Sequence, residues 1–177
     1  MPEHPDSFFV EINPFDKIDE IITKFSAYNP TVFSKQDKGY DWLEEEYAKC
    51  IVFVNPHYNR NIEIDIGDRD EFTLYFADNH NHYANYQYDY ELMIDSLAKL
   101  LTNVTCAGTI TDSNGKWYGS QWVEKEEITM DPEQVFDYVF KYPEFSKKLH
   151  KNGYTITYDF WDPQNNKVLT FDKKHGI

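Results

Sequence analysis

The sequence predicts an α+β fold, an antiparallel sheet in αβββαββαββ order with helices packed against it. Three observations lead there. Strand-like runs follow one another and are broken only by single helical segments, whereas a parallel sheet needs regular strand–helix alternation. Ile62, Ile64 and Ile66 alternate strictly with Glu63 and Asp65, the period of a strand with one apolar face. The chain of 177 residues is 41% apolar and 18% aromatic with only 7 Gly and 8 Pro, a composition that folds around a hydrophobic core. At this length one domain over residues 1–177 is the expectation.

Asn13-Pro14 opens the first helix, because Asn caps free N–H groups and Pro is tolerated at the first helical position. Ile18, Ile21, Ile22 and Phe25 recur at helical spacing over residues 14–27, and Asn29-Pro30 ends the run. A short helical turn is expected around residues 42–47, which carry Glu44, Glu45 and Glu46. Cys50 to Val54, Ile62 to Ile66 and Glu71 to Ala77 read as three strands of a meander. Asp89 is placed to cap a helix over residues 90–102, with Leu92, Met93, Ile94, Leu97, Leu100 and Leu101 as its apolar face, lying across the sheet. Residues 104–111 and 116–123 flank Asp112-Ser113-Asn114-Gly115, whose Asn-Gly pair supplies the positive φ that a tight hairpin needs. Asp131-Pro132 repeats the first helix start and predicts a third helix over 132–141, with Val135, Phe136, Val139 and Phe140 inward. Residues 153–160 and 167–171 close the chain as a last hairpin.

Charge bounds the function. There are 31 acidic against 17 basic residues, a net charge of −14, so a phosphate backbone is repelled. The excess is uneven: 27 acidic against 10 basic side chains precede residue 141, and 4 against 7 follow from there. Acidity that only keeps the chain in solution is the plain account; the sharper one is a surface for a basic protein partner. The first 13 residues lack a basic stretch followed by an apolar one, and no run approaches the length of a bilayer span, so neither export nor insertion is expected. Cys50 and Cys106 lie in apolar runs, which suits reduced thiols in a cytoplasmic setting.

Asp78, His80 and His82 form an Asp-x-His-x-His run, and in an extended segment side chains two apart share a face. A metal held there would make a small metal-dependent enzyme, although a catalytic zinc needs a third protein ligand plus an open position and only His57 lies near in sequence. Solvent-facing histidines at a strand end are the simpler reading. Neither the basic surface of a His-Asn-His nuclease nor the following Glu and Gly of a cupin is present. No glycine-rich phosphate loop or Gly-x-Ser-x-Gly elbow occurs, so no catalytic residue is assigned and no cofactor is expected.

Residues 71–123 carry Glu71-Phe72-Thr73-Leu74-Tyr75-Phe76, then His80-Asn81-His82-Tyr83, then a helix and a hairpin. This resembles bacterial immunity proteins, the partners of polymorphic toxins, in which such a strand leads into a His-x-His-aromatic turn, a helix and further strands. The resemblance implies a cognate inhibitor that binds and blocks a toxin domain in the cell that makes it. Toxins acting on nucleic acid are usually basic, and an acidic partner is steered onto them quickly. On this reading the partner-binding residues are Glu44, Glu45 and Glu46, then Glu63, Asp65, Asp68, Asp70 and Glu71 on the meander, with Tyr86 and Tyr88. A generic adaptor protein and the metal-dependent enzyme are the alternatives.

Overall fold

Asn13 opens the first helical segment through its side chain, whose Oδ1 accepts from the Phe15 N–H at 3.1 Å. A computed structural model describes residues 9–67 and 71–173. The chain divides into two compact units, Met1–Ala98 and Lys99–Ile177. The fold is α+β with antiparallel sheets.

In the first unit a 3-10 turn, Pro14–Lys17, leads into α1, Ile18–Lys24, and a second 3-10 turn, Ser26–Tyr28. Asn29 then takes a left-handed φ of 49° and redirects the chain. Five strands follow: β1 (Thr31–Ser34), β2 (Lys49–Phe53), β3 (Ile62–Ile66), β4 (Glu71–Phe76) and β5 (Asn79–Ala84). Each is antiparallel to its sequence neighbours, so spatial order equals chain order. Register aligns Phe53, Ile62 and Phe76, then Ile51, Ile64 and Leu74, on one face. That face is buried. Helix α2, Gln87–Leu101, begins the cover: the Tyr90 ring lies 5.5 Å from Phe72, and the Tyr83 hydroxyl donates to Ser96 Oγ at 3.0 Å. Phe25, beside α1, meets Phe53 edge-on at 6.1 Å.

The second unit holds a four-stranded sheet in the order β7-β6-β8-β9, with β6 Thr105–Asp112, β7 Trp117–Glu124, β8 Tyr154–Asp159 and β9 Lys167–Phe171. Between β7 and β8 lie α3 (Pro132–Val135), α4 (Asp137–Phe140) and α5 (Pro143–Asn152). Phe136, Val139, Leu149, Ile156 and Tyr158 share one buried core with Cys106 and Ile110. Gly108 is needed on β6 because a methyl group there would stand 2.7 Å from Val123 and 2.8 Å from the Phe136 ring.

Several expectations are corrected. Residues 31–34 form β1 and 79–84 form β5, both beyond the expected meander, while residues 42–47 are turns and not helix. Helix α2 starts earlier than Asp89, where Gln87 N donates to Val10 O and Ile12 N to Asn85 O, both at 2.8 Å. Leu92 is exposed, because the buried stripe of Tyr90, Met93, Ile94 and Leu97 leaves it off that face. The third helix is two single turns: Phe136, at φ −105° and ψ 41°, breaks it and drops its ring into the core. Helix α5 follows, where the sequence reading assigned nothing. Among the described residues no helix is long and apolar enough to cross a membrane.

Candidate functional site

The second face of the five-stranded sheet carries the polar chemistry of the first unit. Register sets Phe33, Cys50, Asp65, Thr73 and His82 in one row, and Val52, Glu63, Tyr75 and His80 in the next. The chain between β1 and β2 folds back over one end of it. Leu43 and Ala48 are buried there against Cys50 and Val52, with Phe33 and Tyr40 stacked at 4.3 Å beside them. This pins a loop whose other side chains point out. Trp42 is 46% and Tyr47 53% exposed, and Glu44, Glu45 and Glu46 between them are exposed too. Gln36 Nε2 donates to Glu46 at 2.7 Å, Lys35 Nζ pairs with Glu46 at 3.5 Å and donates to the Glu44 carbonyl at 2.9 Å, so the acidic stretch is held in one shape.

Beside the loop is an open cleft of about 530 Å³. Trp42 comes from the loop, Arg60 from the turn after β2, Glu63 from β3, Tyr75 from β4 and Asp78 from the β4–β5 turn. Asn55 shapes the turn that delivers Arg60: its Oδ1 accepts from His57 N at 2.9 Å, and its N–H donates to Asn61 Oδ1 at 3.2 Å. Across the cleft, Ala77 adopts a left-handed φ of 53° to close the two-residue turn that presents Asp78. Asp78 lies 3.9 Å from Arg60 Nη1. Burial raises the Glu63 carboxyl above the usual glutamate range. Its Oε2 lies 4.0 Å from the Cys50 Sγ.

The expected binding residues scatter. Glu44, Glu45 and Glu46 share the exposed loop, and Glu63 lines the cleft. Asp65 is 4% exposed and cannot offer its carboxylate to a partner, because its row of the sheet continues from the loop-covered Cys50. Asp68 and Asp70 lie outside the described residues. Glu71 is half-buried and holds His82, whose Nδ1 lies 2.7 Å from Glu71 Oε1 and 3.1 Å from Thr73 Oγ1. Tyr86 meets Phe9 edge-on at 6.1 Å, and Tyr88 is exposed on α2; neither lines the cleft.

Asp78, His80 and His82 do not converge. The two histidines share a face of β5 with ring centres 5.1 Å apart, but His80 stacks on Tyr75, His82 turns to Glu71, and Asp78 sits in the turn facing Arg60. Among the described residues no group of three or more His, Cys, Asp or Glu side chains is set to hold a metal ion.

Sequence reasoning missed the cleft altogether, and Trp42 and Arg60 with it. It also missed a hydrogen-bonded run in the second unit, where His150 Nε2 lies 2.9 Å from Glu133 Oε1 and its Nδ1 3.4 Å from Ser146 Oγ. The order serine, histidine, acid invites a catalytic reading. Yet Ser146 and His150 are neighbours one turn apart on α5, and the ring packs beside Phe140 and Tyr154, so the contacts fasten α5 to α3. No protein-family model matches this chain, and neither does a curated protein or a solved structure.

Proposed function

We propose that this chain is a protein-binding module that recognises a basic partner through the acidic, aromatic loop between β1 and β2. One observation carries the reading. Trp42 and Tyr47 are exposed on either side of three exposed glutamates, on a loop fixed from beneath by buried Leu43 and Ala48. Large aromatics held rigidly in the open are the residues that supply most of the energy at protein interfaces, and surrounding acids select a basic partner and speed its arrival. A mobile acidic tail kept only for solubility would need neither the buried anchors nor the exposed rings.

The partner that suits this surface best is a toxin domain acting on nucleic acid, with this chain as its cognate inhibitor. Such a domain must present positive charge to bind phosphates, and an acidic surface can occupy that ground. The pattern over residues 71–123 supports the same reading. The test is to co-produce the chain with the protein encoded beside it and to measure both growth and association of the purified pair. Expected are relief of toxicity and a tight complex that Trp42→Ala weakens by about 2 kcal/mol, the scale of an aromatic hot spot. A neighbour that is harmless alone and does not bind would end the proposal.

A further inference from the structure

The cleft beside the loop has a composition that specifies more than a generic acidic partner. Among the described residues two carboxylates line it, Glu63 recessed on β3 and Asp78 at the turn, against one cation, Arg60, which already faces Asp78. Trp42 and Tyr75 add aromatic surface, and Asn59 and Asn61 add amides. Glu63 is the unusual member. It is half-buried, and the loss of water raises its carboxyl above the usual glutamate value.

Ligand classes separate on this lining. A phosphate or carboxylate would meet Glu63 and Asp78, and a neutral ligand would strip more water from Glu63 while giving no charge in return. An ammonium group satisfies the charge but is compact and strongly hydrated, and makes little use of aromatic walls. A guanidinium is planar, weakly hydrated, stacks on aromatic rings and forms paired hydrogen bonds with a carboxylate.

We propose that the cleft receives an arginine side chain of the partner protein, its guanidinium meeting Glu63 and lying against Trp42. The assignment rests on the protein-binding reading above and deepens it, because Trp42 belongs both to the acidic loop and to the cleft. The loop and the cleft thereby form one interface, with the arginine as its anchor.

The test needs no knowledge of the partner. The whole chain, labelled with nitrogen-15, is titrated with N-acetyl-argininamide while the Trp42 indole and the Asn59 and Asn61 side-chain amide signals are followed by NMR. Saturable shifts at these signals are expected, with N-acetyl-citrullinamide, equal in shape but uncharged, leaving them in place and N-acetyl-lysinamide binding more weakly. Glu63→Gln should stay folded, shown by its dispersed spectrum, and weaken the arginine compound by about tenfold or more. Unmoved signals, equal binding by the citrulline or lysine compound, or undiminished binding by Glu63→Gln would each overturn the assignment. Failure here beside an intact complex with the toxin would remove the arginine pocket alone, whereas arginine uptake without any toxin complex would remove the inhibitor reading alone.

Discussion

Glu63 links site chemistry to stability through protonation. Its carboxyl titrates above the usual range in the folded chain because burial disfavours the charged form. Well below that range the side chain is neutral in both folded and unfolded states, and it contributes no difference. As pH rises past the folded value it is charged in both, and the folded state carries the desolvation penalty. Glu63→Gln should therefore raise the midpoint of chemical denaturation at about pH 7, and the gain should vanish towards about pH 4. A loss at neutral pH would show that Glu63 is stabilising as it stands. The thiols are shielded in the same manner: burial pushes Cys106 up to about 12 and Cys50 higher still, and both are free and buried. Neither should react with a thiol reagent at about pH 8 until the chain is denatured, when both should, as counted by the released chromophore.

At the scale of elements, the β6–β7 hairpin depends on one carboxylate. Asp112 Oδ1 accepts from Asn114 N at 2.9 Å and Lys116 N at 3.0 Å while the residue is nearly buried, and Gly115 takes a φ of 79°. Asp112→Ala should cost about 1.5–3 kcal/mol in urea denaturation, since two backbone N–H groups of the turn lose a charged acceptor. Asp112→Asn, which keeps an oxygen, should recover part of that. This hairpin was legible in the sequence because its signals are local: Asp, Asn and Gly act within four residues of one another. So were the starts at Asn13 and Asp131, whose side chains do accept from the N–H groups two residues on. Strand β5 was illegible because an edge strand with an exposed face tolerates Asn79-His80-Asn81-His82, which has no alternation of apolar residues to read. Helix α5 shows only Phe145 and Leu149 on an otherwise polar segment, too thin a stripe to announce itself. The acids of the site could be counted from composition, but the cleft could not. Trp42, Arg60, Glu63, Tyr75 and Asp78 meet only through strand register, two turns and the loop between β1 and β2, and the same register buries Asp65.

Across the whole molecule the net charge is −14, with the acidic excess before residue 141, and under the proposed function it would set how a basic partner approaches rather than how firmly it stays. Raising ionic strength from about 0.05 M to about 0.5 M should slow association markedly, as the Debye length contracts, and change dissociation little. Trp42→Ala should do the reverse in the same stopped-flow experiment, raising the off-rate while leaving arrival nearly as fast. An on-rate that ignores salt would count against the proposed basic partner. The strand order described above has a further consequence, for the time course of folding. In the first sheet each strand pairs with its neighbour in sequence, so every closure is short and its entropy cost small. In the second sheet β6 must find β8 across the whole of β7 and three helices, a long closure made before any contact rewards it. Pulsed hydrogen exchange during refolding should show amides of residues 49–66 and 71–84 protected before those of residues 154–159, so the half that carries the loop between β1 and β2 would be built while the other half is still searching.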